Sequence, residues 1–317
     1  MKSLINKFPD TVRSDLLSLI EDGGILRAAR CERICRVLSI SIESLMVKLL
    51  PLAASYSKSE LSSYEVGAVA LGIDTNENGI SDLYFGANIE FASLYNSLHA
   101  EQAAVSNAWL DGQKGIKSIA VSGAPCGHCR QFLKEVAGDN ALQIILPADA
   151  ASEMFLPSDN PEENVATIDL SKLLPSAFGP LDLGCEQLMM EPALERHQLV
   201  LTSQDDSYLV QQALLAANRS YAPYSANYAG CALEVNTGEV FCGQYAENAA
   251  HNPSLPPYSS ALSKTMLSIP EFDYNDIVRL VLVECPTMVS QKSITTSLLS
   301  ACNKDVELEY YTADVKL

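Results

Sequence analysis

The stretch Lys117-Ser118-Ile119-Ala120-Val121-Ser122-Gly123-Ala124-Pro125-Cys126-Gly127-His128-Cys129 sets out the architecture in miniature. Its first six residues read as a β-strand, Gly123 to Pro125 as a break, and Cys126 as the opening of a helix that runs to about Ala137. A further short strand follows at Gln143 to Leu146. Upstream, Tyr64 to Leu71 is a strand and Asp74 to Gly79 a turn, and Leu83 to Asn88 is the return strand of a hairpin. Leu98 to Leu110 is then a helix. Strands alternating with helices predict an α/β fold, a three-layer α/β/α sandwich with a mixed sheet.

The second half reads as a worn copy of the first. Ala229 to Val235 echoes the strand around Val66, Asn236-Thr237-Gly238 is a hairpin turn, and Val240 to Gly243 is the return. Glu247 follows Gly243 by four residues, as Glu90 follows Gly86. Nine residues beyond each glutamate stand His99 and Pro256, and Glu101 is matched by Tyr258. Before the first copy, residues 11 to 50 read as helices. Leu16, Leu17, Leu19 and Ile20 form a stripe that Asp22-Gly23-Gly24 breaks. Ile34, Val37, Leu38, Ile42, Leu45 and Leu49 form a second, ending near Pro51. Between about 147 and 185 the composition loosens, with Pro147, Pro157, Pro161, Pro175 and Pro180 among Ser158, Asp159, Glu162 and Glu163, as in a linker. The expected division is a helical N-terminal segment (1–55), a zinc-bearing domain with a trailing linker (56–180) and a degenerate domain without zinc (181–317).

Composition narrows the function. The chain has 317 residues, enough for two cores, and 48% are hydrophobic. Lys plus Arg number 21 against 39 Asp plus Glu, a formal charge of −18, which repels phosphate backbones and anionic lipid. No nucleic-acid partner is expected. Apolar runs such as Leu280-Val281-Leu282-Val283 are far shorter than the roughly 20 residues of a membrane span, and residues 1–10 lack a secretory core. A soluble, cytoplasmic protein with no membrane partner is expected. Nine cysteines, an odd count spread over a long chain, do not read as a secreted disulfide framework. Cys231, Cys242 and Cys285 read as buried thiols and Cys31 with Cys35 as one helix face, while Cys185 and Cys302 have no assignment.

Only Cys126 and Cys129 have metal-site spacing. Two soft thiolates and one imidazole, His99, suit Zn²⁺ and leave a fourth tetrahedral position for water, the mark of a catalytic site. Both cysteines open a helix, where free N–H groups and the dipole favour thiolate. Glu101, two residues past His99 at another helix N-terminus, can take a proton from an activated water and hand it on. Alternatives are a structural zinc site with His128 as fourth ligand, strained by its adjacency to Cys129, and a redox Cys-x-x-Cys that leaves His99 and Glu101 idle. His197 and His251 have no partner motif.

His-x-Glu followed by Pro-Cys-x-x-Cys is the signature of zinc nucleobase deaminases. At these residues the chain resembles the long, two-domain, homodimeric bacterial type of cytidine deaminase. The likeness extends to Phe85-Gly86-Ala87-Asn88-Ile89-Glu90-Phe91, His99-Ala100-Glu101-Gln102 and Pro125 to Phe132, and to Ala177-Phe178-Gly179-Pro180, Ala216 to Ser220 and Tyr245 to Ala250. It implies hydrolytic deamination of cytidine and 2′-deoxycytidine in pyrimidine salvage. One zinc per chain would sit on His99, Cys126 and Cys129, with Glu101 as proton shuttle. It also implies ribose contacts from Asn88 and Glu90, an aromatic contact from Tyr64, a backbone carbonyl at Ala124 for the amino group, and a homodimer that shares its active sites. Ser59 to Ser63 departs from the family's Pro-bearing segment, which appears instead as Tyr221-Ala222-Pro223-Tyr224-Ser225 in the second copy. Two rivals stay open: a polynucleotide or tRNA deaminase, which would want a basic groove, and an inactive scaffold with structural zinc.

Overall fold

The N-terminal segment folds as α1 (Lys2–Ile5), α2 (Asp10–Glu21), a short β1 (Ile25–Leu26), α3 (Ala28–Leu38) and α4 (Ile42–Ala54). The structure is a computed structural model and describes residues 1–92, 96–138, 141–153, 165–191, 197–269 and 271–316. The apolar run from Ile34 to Leu49 is divided rather than continuous. Ser39 turns left-handed (φ 53°) to end α3, and Ser41 caps α4 by accepting a hydrogen bond from the Ser44 N–H at 3.1 Å. Pro51 lies in the last turn of α4 instead of stopping it, because Leu49, Leu50, Leu52 and Ala53 are all buried there.

The first sheet takes β1, β2 (Gly67–Thr75), β3 (Ser81–Ala87), β4 (Ile116–Val121), β5 (Gln143–Pro147) and β6 (Val165–Asp169) in the order β1-β3-β2-β4-β5-β6. Its pairings are antiparallel except for the parallel β4–β5 pair. That pair forces a crossover, which is α6 (Gly127–Ala137), while α5 (Ala100–Leu110) links β3 to β4. Two short helices, α7 (Ala148–Glu153) and α8 (Leu170–Leu173), flank β6.

Side chains alternate across this sheet as its two-residue period requires. Val69, Leu71, Leu83 and Phe85 meet α4 and the N-terminal helices through Leu16, Leu19, Leu45 and Leu49. Ala68, Ala70, Tyr84 and Ile119 face the other way, against Ala103 and Ala104 of α5 and Phe132 and Leu133 of α6.

The second unit repeats the plan. Strands β7 (Leu199–Leu201), β8 (Ala229–Val235), β9 (Val240–Gln244), β10 (Ile277–Glu284) and β11 (Leu308–Val315) lie in the order β7-β11-β10-β8-β9, with β10–β11 parallel. Helix α9 (Tyr208–Asn218) covers one face; α10 (Pro257–Ser268) and α11 (Lys292–Cys302) lie on the other. Packing gives α4 the place in the first unit that α9 has in the second, although by sequence α4 reads with the N-terminal helices. The chain between the units is more than a spacer, since it supplies β6 to one sheet and β7 to the other, each as an antiparallel edge. The linker residues Pro157, Ser158, Asp159, Pro161, Glu162 and Glu163 lie outside the described residues.

One core runs through both units, with α5 and α10 at its centre. Gly86 and Gly243 explain how closely these helices approach their sheets. A Cβ on Gly86 would collide with the Ala104 N–H and the Ala100 carbonyl, and one on Gly243 with the same backbone groups of Ala261 and Pro257. Between the helices, Ser106 Oγ and Ser260 Oγ share a hydrogen bond of 2.8 Å.

Candidate active site and metal centre

Three chain segments converge at the sheet end where β4 stops. His99 is the N-cap of α5, and its backbone N–H donates to Gln102 Oε1 at 3.2 Å. Gln102 in turn donates through Nε2 to the Pro253 carbonyl of the second unit at 3.0 Å. Cys126 is the N-cap of α6 and Cys129 lies in its first turn. Arg130 fixes the turn before them by donating to the Pro125 and Leu173 carbonyls at 2.8 and 3.0 Å. Both helix N-termini therefore point their unpaired N–H groups and positive dipole ends at one place.

The ligand geometry closes there. His99 Nδ1 lies 3.6 Å from Cys126 Sγ and 3.3 Å from Cys129 Sγ, and the two sulfurs are 3.6 Å apart. All three donor atoms fall within 4.8 Å of one another, the one such group found among the described residues. Hydrogen bonding from Cys129, helped by His99, pulls the Cys126 thiol down to about 3. The hydrogen bond with that thiolate, together with burial, holds Cys129 well up. A divalent cation bound there would stabilise both sulfurs as thiolates. His128 is outside the group. Its ring stacks on His99 with centroids 4.8 Å apart, so it supports the ligand rather than supplying a fourth. Two sulfurs and one imidazole nitrogen with a fourth direction left to the cavity fit a tetrahedral catalytic zinc.

A cavity of about 250 Å³ opens in front of these atoms, lined by Tyr64, Asn88, Glu90, His99, Glu101 and Cys126, with Ala124 on its wall. Glu101 is 4% exposed, and burial pushes its carboxyl upward. Asn88 and Glu90 lie just past the end of β3, on either side of Ile89, which bridges to Lys58 and Leu98. Both reach the same loop. Asn88 Oδ1 accepts from Ser57 Oγ at 2.7 Å and the Val66 N–H at 2.8 Å, and its Nδ2 donates to the Tyr64 carbonyl at 2.9 Å. Glu90 Oε2 accepts the N–H groups of Leu61 and Ser62 at 2.9 and 3.0 Å, and Oε1 accepts the Ser62 hydroxyl. The Ser62 bonds lower the Glu90 carboxyl. Tyr64 stands at the mouth, 66% exposed, its hydroxyl beside Gly123.

Sequence reasoning passed over two polar residues, one that holds this site and one that joins the units. Ser62 sits in the segment that departs from the family pattern. Glu135, near the C-terminal end of α6, is fully buried and grips the second unit. Its carboxylate accepts from the Tyr221 and Tyr224 hydroxyls at 2.8 and 2.6 Å and from the Ala249 N–H at 2.9 Å. No local pattern marks a glutamate for burial, so only the interface could reveal it.

A family model described as the cytidine and deoxycytidylate deaminase zinc-binding region matches residues 40–144, and a second with the same description matches 170–296. The chain is 39% identical to a cytidine deaminase of Aliivibrio fischeri over 98% of this chain and 97% of that one. This chain belongs to the cytidine and deoxycytidylate deaminase family. Two further family members are each 41% identical to it. A cytidine deaminase of Haemophilus influenzae matches over 92% of this chain and 90% of its own, and one of Vibrio cholerae over 84% and 82%. The family's cofactor is zinc, and His99, Cys126 and Cys129 are the residues positioned to bind it. The second matched region has the family's fold, with Pro256 and Tyr258 where the first has His99 and Glu101.

Proposed function

We propose that this protein hydrolyses cytidine and 2′-deoxycytidine to uridine and 2′-deoxyuridine with release of ammonia. The observation that carries the reading is one cavity that opens on a three-donor metal group and is lined by a buried carboxylate, Glu101, and two polar side chains, Asn88 and Glu90. When bound, zinc supplies the Lewis acidity that makes water nucleophilic near neutral pH. The chain's own residues do the rest. Asn88 and Glu90 bind the ribose hydroxyls, Tyr64 covers the pyrimidine at the mouth, and the Ala124 carbonyl accepts from the exocyclic amino group. Glu101 takes a proton from the attacking water, delivers it to N3 as C4 becomes tetrahedral, and passes the second proton to the leaving amino group. Cytidine plus water thus balance uridine plus ammonia.

The same reading makes the protein a cytoplasmic homodimer in pyrimidine salvage, with a zinc-bearing unit and a zinc-less one in each chain. Nine cysteines that are all free thiols suit a reducing compartment. Among the described residues no single helix is long and apolar enough to cross a membrane. The test is the fall in pyrimidine absorbance when purified protein meets cytidine, with Glu101→Ala alongside and zinc content measured in both. Loss of absorbance with the wild type alone, at equal zinc, supports the reading. No loss on either nucleoside with one zinc per chain overturns it.

A further inference from the structure

The second unit has a cavity of about 390 Å³ where the first has its nucleoside site. The match runs residue by residue. Ile89 bridges Lys58 and Leu98, and Ala246 bridges Tyr221 and Leu255. Glu247 therefore stands where Glu90 does, Pro256 where His99 does, and Ser259 where Gln102 does. Glu247 Oε2 accepts the N–H groups of Tyr224 and Ser225 at 2.8 and 3.0 Å, repeating the hold on Glu90 Oε2.

The other carboxylate oxygen differs between the copies. The Ser62 and Ser225 hydroxyls each accept the N–H two residues on, from Tyr64 at 3.0 Å and Asn227 at 3.1 Å, but Ser62 also donates to Glu90 Oε1. Glu247 Oε1 takes no hydrogen bond among the described residues, although Glu247 is 4% exposed and lines the cavity. Ser259, 1% exposed, lines it too, and its Oγ is buried without a partner. Glu247 Oε1 thus awaits a partner that a ligand in the cavity can supply.

The base half of this second site is closed. Asn227, in the place of Tyr64, donates to Glu284 Oε2 at 3.0 Å and to the Cys285 carbonyl at 2.9 Å, and accepts from Gln291 Nε2 at 3.1 Å. The buried ring of Tyr258 stands where Glu101 would shuttle protons. What persists is the acceptor that, in the first unit, is read as the sugar's. The cavity extends toward Gln102 and His128 of the first unit, the residues that back His99.

We propose that this cavity binds a nucleoside through its ribose, with Glu247 Oε1 taking a hydroxyl, and does not turn it over. The inference rests on Glu90 being the sugar acceptor of the catalytic site. Uridine titrated calorimetrically into the zinc-loaded full-length protein is expected to fill two sites per chain. Glu247→Gln and the cavity-filling Ser259→Leu are each expected to leave one, with kcat/KM for cytidine unchanged. Should Glu247→Gln fail to fold, Ser259→Leu decides. D-ribose filling the second site by itself assigns it to pentoses in general, and uridine without ribose binding assigns it to nucleosides; both outcomes support a sugar site. A single uridine and no ribose per chain, or two uridines that persist in both variants, overturns it. Glu90→Gln weakens only the first site, so failure of the deaminase reading is seen separately from failure of this one.

Discussion

The N-termini of α5 and α10 are built alike and do different things. Each helix is pressed onto its sheet through a glycine that leaves no room for a side chain, and each follows a bridge from an extended segment. At the first, His99 and Glu101 meet two cysteines; at the second, Pro256 lines a cavity and Tyr258 is buried in the hydrophobic core. Backbone placement and chemistry are therefore separable here. Glycines at 86 and 243 bring both helices onto their sheets and glutamates at 90 and 247 hold the same loop in both units, whereas among the described residues the metal ligands occur in one alone.

Breaking the metal group should have the largest effect. Cys129→Ala is expected to lower bound zinc from one per chain to near zero and to abolish deamination, read by metal analysis beside the absorbance assay. Glu101→Gln should retain zinc and lose about 10²–10⁴-fold in kcat, the range for a removed general acid–base group. The matched change Tyr258→Phe should leave kcat as it is. A Glu101→Gln enzyme within a few-fold of wild type would remove the shuttle from the comparison.

The glycine pair sharpens it next. Gly86→Ala and Gly243→Ala should each destabilise by about 1–3 kcal/mol or more through overpacking, measured in denaturant. Only Gly86→Ala should also depress kcat, since α5 carries His99 and Glu101. Equal losses of activity would show that the second helix positions the site as tightly as the first.

Glu135 joins the units, and burial raises its carboxyl above the usual 4.5. A folded-state value above the unfolded one means that the folded protein binds the proton more tightly. Its contribution is present in full below the unfolded value and is lost as pH rises through the folded one. The stability of wild type relative to Glu135→Gln should accordingly fall as pH rises above about 4.5, in melts taken across that range. A pH-independent difference would place the shift elsewhere. The smallest effect expected is for Ser106→Ala, about 1 kcal/mol for a single neutral hydrogen bond between α5 and α10.

Much of this was legible from residue order. The hairpins, the repeat, the strand-to-helix turn at Cys126 and the three metal donors with Glu101 could all be read from local pattern and donor chemistry. The fold class and the zinc followed from them. The break at Ser39 could not be read so, because an apolar stripe looks continuous whether one helix or two present it. The role of Pro147 to Pro180 was hidden as well. Edge pairing depends on which sheet lies alongside, so a loose, proline-bearing stretch yielded β6. Ser62 and Glu135 bear polar side chains whose partners are 28 and 86 or more residues away.

What the sequence determined by itself is whatever depends on near neighbours: helix and strand periods, the turn that lets α6 begin at a cysteine, and the residue types that suit zinc. The tertiary structure alone decided what lies beside what. It brought His99 to two cysteines 27 and 30 residues on, buried Glu101 and Glu135, and left Glu247 with an unmade bond at a cavity wall. The physical reason is that burial and hydrogen-bond satisfaction are set by the whole packed core, whereas torsional preference and side-chain chemistry are set residue by residue.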